Sequence, residues 1–100
     1  MVVLSEHQSK LVRDMLKLSE RFRQGKVKYY EFVGALEGTL DAGEFRDKGF
    51  VERWYDLWTP LESARAQQEN GVRPEDVEGF MSDMDSFLNS VLEAKPASGL

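Results

Sequence analysis

The residues of this chain that could do chemistry are eighteen acids, thirteen Lys and Arg and one histidine, with no cysteine. Without cysteine there is no thiol nucleophile, thiolate metal site or disulfide framework, and a reducing compartment is the simpler setting. His7 follows Glu6 near the expected start of a helix. A transition-metal site would need a second imidazole or a thiolate beside it, and the sequence has neither. Di-iron bundles carry Glu-x-x-His pairs, yet no Glu here has a His three residues later. Asp83 and Asp85 flank Met84, but positions two apart on a helix point in different directions, so these carboxylates do not converge on one ion. A calcium loop, nucleophile elbow, P-loop and dinucleotide fingerprint are all missing from the sequence. General acid–base catalysis needs a carboxyl in an apolar pocket, and spacing singles out none among the acids. The expectation is a chain that is not an enzyme and uses no metal or cofactor.

The remaining patterns suit binding. Lys10, Arg13, Lys17 and Arg21 recur along one helical face as a basic line. Residues 1–30 hold seven Lys and Arg against three acids, whereas residues 31–100 hold six against fifteen. Such asymmetry is satisfied internally, by a basic helix beside acidic ones, or externally by a partner. The internal arrangement is favoured, because surface charge pairs are common and worth only about 0–1 kcal/mol each. Nucleic acid is a poor match for a net charge of −5. Trp54, Tyr55 and Trp58 form the other cluster. They build the core, or, where their edge stays uncovered, a partner surface or homodimer seam. Met15, Met81 and Met84 fall on inward stripes and read as core filler.

Helices must position all of these. Ser5 and Gln8 have capping-box spacing ahead of Leu11, Met15, Leu18 and Phe22, with Val12 widening the stripe and Gly25 ending the helix. A second helix follows, with Glu31 near its positive end, Phe32, Val33, Leu36 and Leu40 inward, and Gly43 as its stop. Its Gly34 and Gly38 each cost about 1 kcal/mol of helix propensity. With Ala35, Thr39 and Ala42 they predict a small-residue surface on which another helix packs closely. Asp47 is the expected cap of an aromatic helix whose Phe50, Trp54, Leu57, Trp58 and Leu61 share a side. At Thr59-Pro60 the chain is expected to kink sharply or to restart a helix. Residues 62–69, poor in apolar side chains, project partly beyond the core and end at Asn70-Gly71. Pro74 opens a last helix with Val77, Phe80, Met81, Met84, Leu88, Val91 and Leu92 inward, flanked by Phe87 and acidic elsewhere. The fold class is therefore all-α, a four- to five-helix antiparallel bundle forming one domain over residues 1–94, with residues 95–100 as a flexible tail. No window suits a membrane span, and the first ten residues lack a secretory pattern, so a cytoplasmic location is expected.

The passage FRQGKVKYYEFVGALEGTL, residues 22–40, with its Gly-containing turn and Glu31-Phe32 pair, resembles the opening of the small helical bacterial immunity proteins related to that of colicin D. The likeness continues through Leu57-Trp58, Leu61-Glu62 and the acidic last helix, while Lys28 stands where a Ser or Thr cap is usual. The resemblance implies a stoichiometric inhibitor that blocks a basic nuclease toxin through an acidic face. Glu75, Asp76, Glu78, Asp83 and Asp85 would supply that face, joined by Glu62 and Glu69. The broader expectation is a non-catalytic protein-binding module, or a homodimer formed through the aromatic or Gly34/Gly38 surface.

Overall fold

The computed structural model describes residues 3–68 and 71–93. Glu69, the Asn70 stop and the 95–100 tail lie outside that set. Four helices make up the described chain: α1 (Glu6–Arg23), α2 (Tyr29–Ala42), α3 (Lys48–Gln68) and α4 (Pro74–Glu93). Their ends follow local chemistry. The Ser5 hydroxyl accepts the Gln8 N–H at 3.1 Å and the Gln8 side chain accepts the Ser5 N–H in return. Gly25, at φ 74°, turns the chain out of α1 in the left-handed region. Asp47 accepts the Phe50 N–H at 2.8 Å and caps α3. Asp76 accepts the Arg73 N–H at 3.0 Å at the start of α4.

Gly43 ends α2 for a different reason. Its φ is −81°, and the left-handed position falls on Glu44, at φ 48°. A Cβ on Gly43 would run into the Phe45 ring, so glycine serves there as the floor under an aromatic side chain.

Each helix packs on two neighbours, α1 on α2 and α4, and α3 on α2 and α4, which closes a square. All four seams are antiparallel. Gln8 at the start of α1 meets Gly43 after α2, and Arg23 at the end of α1 meets Glu78 early in α4. Tyr29 at the start of α2 meets Leu61 of α3 while Glu37, further along α2, meets the earlier Tyr55, and Phe50 early in α3 stacks on Phe87 late in α4. The core comprises Val12, Met15 and Phe22 of α1, Tyr29, Phe32, Val33, Leu36 and Leu40 of α2, Phe50, Trp54, Leu57 and Leu61 of α3, Val72 just before α4, and Val77, Met81, Met84, Leu88 and Val91 of α4.

One pair of alternatives is narrowed and three expectations are corrected. Of the kink and the restart expected at Pro60, the restart is not taken, and α3 continues through it. Trp54 and Leu57 before the proline and Leu61 after it dock on one core, and that shared burial outweighs one lost backbone bond. The Asp56 carbonyl, deprived of the Pro60 N–H, belongs to an exposed residue, where solvent reaches it. Phe80 is 43% exposed because it lies on the flank of the Val77–Met81–Met84–Leu88 stripe. Leu11 and Leu18 are only half-buried, and the centre of the α1 stripe runs through Val12, Met15, Ser19 and Phe22. No described helix packs against Gly34 or Gly38; both are exposed, and an added Cβ meets nothing within 4 Å among the described residues.

Leu88→Ala should therefore cost about 2–5 kcal/mol in urea unfolding, whereas Phe80→Ser should stay within about 0.5 kcal/mol. Gly34→Ala and Gly38→Ala should each stabilise by about 0.4–1 kcal/mol, read from the same midpoints.

Candidate interaction surfaces

The polar tips of the interior are used to bind the helices to one another. Tyr29 donates its buried hydroxyl to the Leu61 carbonyl at 2.7 Å, joining α2 to α3. Burial and the nearby Glu62 carboxylate push the Tyr29 phenol well above its ordinary range. Trp58 donates its indole N–H to the Val33 carbonyl at 3.0 Å. Tyr55 donates to Glu37 Oε2 at 3.0 Å, and burial and that carboxylate raise its pKa. The expected aromatic cluster is thus brought together, with Trp54 fully enclosed and Tyr55 and Trp58 half-buried and bonded within the chain.

The acidic set of α4 is brought onto one helix but not left free. Arg23, three-quarters buried, donates Nε at 3.0 Å and Nη2 at 2.7 Å to Glu78, while its Nη1 lies 2.8 Å from Asp85. The hydrogen bonds from Arg23 hold the Glu78 carboxyl below its ordinary value. Asp76 is engaged as the cap of α4, and Glu75 lies 3.3 Å from the Arg73 guanidinium. Asp83 alone of the five is exposed with no ion pair among the described residues. Glu62 pairs with Arg65 at 2.8 Å, which lowers its pKa. Two polar atoms, Ser19 Oγ and Asp85 Oδ1, are buried without a hydrogen-bond partner among the described residues.

The basic line of α1 behaves oppositely. Lys10, Arg13, Lys17 and Arg21 are all exposed, and none makes an ion pair among the described residues. On α2, Glu31, Gly34, Gly38 and Asp41 are exposed, with Asp41 lying on the α3 side beside Val51 and Tyr55, and Tyr30 is 47% exposed. Composition revealed the ridge as a row of cations. That the acids would be taken by Arg23, and the row left open, depends on a pairing across 55 residues and left no mark in local spacing.

A cleft of about 400 Å³ opens between the start of α1 and the α2–α3 loop, lined by Leu4, His7, Gln8, Phe45, Arg46 and Asp47. Gln8 donates its amide to the Gly43 carbonyl at 3.0 Å and Asp47 caps α3, so part of the polar lining has a structural task. Among the described residues no group of three His, Asp or Glu is placed to hold a metal ion. No helix among them is long and apolar enough to cross a membrane. Comparison with protein families, curated proteins and solved structures finds no match.

Ionising a phenol whose folded pKa is raised costs stability. The Tyr29 contribution is complete below the unfolded value of about 10 and is lost as pH rises beyond it. Tyr29→Phe should cost about 1 kcal/mol near neutral pH, and its gap from wild type in urea midpoints should hold up to about pH 10 and narrow above it. The Glu78 contribution has the opposite sign, present above about pH 4.3 and lost as pH falls through the lowered folded value. Arg23→Gln should therefore cost about 1–3 kcal/mol near neutral pH, with the difference from wild type closing below about pH 4.

Proposed function

We propose that this chain is a small non-catalytic helical module that binds another protein or itself. The observation that supports the reading is the division of its charged and polar groups. Tyr29, Tyr55, Trp58 and Arg23 hold the helices together, whereas Lys10, Arg13, Lys17 and Arg21 are exposed on one outer face of α1 and make no ion pair among the described residues. A ridge of unpaired cations on a chain of net charge −5 is a surface with a partner still to be met, because complementary fields speed encounter and select orientation. A cytoplasmic setting fits the absence of cysteine from the chain.

An immunity-type inhibitor of a basic nuclease is a second member of the same class. It would act through Asp83, Glu75 and the exposed side of Glu78, since Arg23 already holds Glu78 and Asp85. The two forms differ in the charge of the partner.

The test is affinity capture from the native lysate at low and moderate salt, together with light scattering of the purified chain. A stoichiometric captured protein, or a mass that rises with concentration, is the expected result. A chain that stays monomeric and retains nothing at either salt would refute the reading.

A further inference from the structure

The partner required by the protein-binding form of the proposed function can be given a chemistry, and the inference rests on that form. We propose that the outer face of α1 docks a single helix of another protein whose carboxylates run in one stripe.

The cations of α1 are gathered on its outermost side. Lys10, Arg13, Lys17 and Arg21 fall within about 80° of arc, opposite the buried Val12, Met15, Ser19 and Phe22, so the row points straight into solvent. The acids of the same helix leave the row positive. Glu20 lies 3.9 Å from Arg23 and accepts the Gln24 amide at 3.4 Å, Asp14 is half-buried at the edge of the row, and Glu6 stands one turn before it. Lys26 and Lys28, exposed between α1 and α2, extend the positive field past Arg21.

The row is only one helix wide, and that width selects the occupant. α1 packs between α2 and α4, and neither of those helices contains a Lys or Arg. α2 carries three acids and α4 carries six, which makes the surface a positive lane between two negative ones. A helix seated in a DNA major groove of about 12 Å fills it and brings its neighbours to the phosphate walls. Here both neighbours would repel those walls. A flat anionic membrane meets the same flanks, and a second copy laid α1 on α1 sets cations on cations.

Spacing points to a helix as well. Along the axis the four cations lie about 4.5, 6 and 6 Å apart, the rises of three and four helical residues, so a partner helix with acids at those intervals meets each of them. An extended strand presents same-side residues about 6.6 Å apart, and its fourth acid lies about 20 Å along where the row ends at about 16 Å.

The probe is an alanine-based helical peptide of about sixteen residues whose four glutamates repeat at those intervals, titrated into the full chain and followed by NMR shifts. In about 50 mM salt the shifts should centre on residues 10–21, and affinity should fall at least about 10-fold by about 0.5 M salt. Lys17→Glu with Arg21→Glu, and separately Lys10→Gln with Arg13→Gln, should keep the helical signal and weaken binding at least about 10-fold. A peptide of the same composition with its glutamates spread around the helix should bind at least about 10-fold more weakly than the striped one.

Equal binding of the two peptides, shifts away from α1, or no binding at all overturns the proposal. So does tighter binding of a short DNA duplex or of phosphatidylserine vesicles, either of which assigns the lane to phosphates. The protein-binding reading is tested apart from this by lysate capture with the Lys17→Glu, Arg21→Glu variant. A partner still retained by that variant keeps the reading and overturns the α1 contact.

Discussion

The bundle depends on how one indole fills its centre. Four helices arranged in a square touch along the edges, and the α1–α3 diagonal is left for side chains to span. Trp54 spans it: its ring is fully buried and its N–H points at the Met15 sulfur, 3.4 Å away. A buried indole needs a partner for its N–H, and a thioether supplies a weak one while still packing as an apolar group. Trp58, one turn later, stacks on Trp54 at 5.9 Å, and Tyr55 meets Trp54 nearly edge-on at 5.1 Å. These rings set the rotation of α3, and the bonds from Trp58 to Val33 and from Tyr55 to Glu37 transmit that rotation to α2.

With the aromatic tips committed inward, the outer surface is defined by charge. Two helical positions separate two fates for the cations of α1. Arg23 lies toward α4 and is caught between Glu78 and Asp85; Arg21, two residues earlier, points away from the core. The imbalance between the first thirty residues and the rest is thus only partly cancelled within the molecule.

Two helix starts were legible because they are settled by partners three residues away, at Ser5–Gln8 and Asp47–Phe50. The helical stripes were legible in period but not in width. Phe80 and Leu11 belong to wide apolar arcs, and the neighbouring helices cover only the middle of each. Pro60 left two paths open because local sterics favour a break, while Trp54 and Leu61 on either side hold the helix to one core. Of the candidate surfaces, the membership of the acidic and basic sets could be read directly. Which of the two stays open is decided by α1 lying against α4, a contact between the two ends of the chain.

That contact also gives the folding reaction an order. The α1–α2 and α3–α4 hairpins join neighbours in sequence and can form locally, whereas the α1–α4 seam closes a loop of 55 residues between Arg23 and Glu78. On a growing chain α1 must wait until α4 has been synthesised, leaving one side of Met15 and Ser19 uncovered meanwhile. The same two helices carry Ser19 Oγ and Asp85 Oδ1, which are buried without a hydrogen-bond partner among the described residues. The square thus has a built-in opening edge: the slowest seam to close is also the one whose separation returns orphaned polar atoms to water.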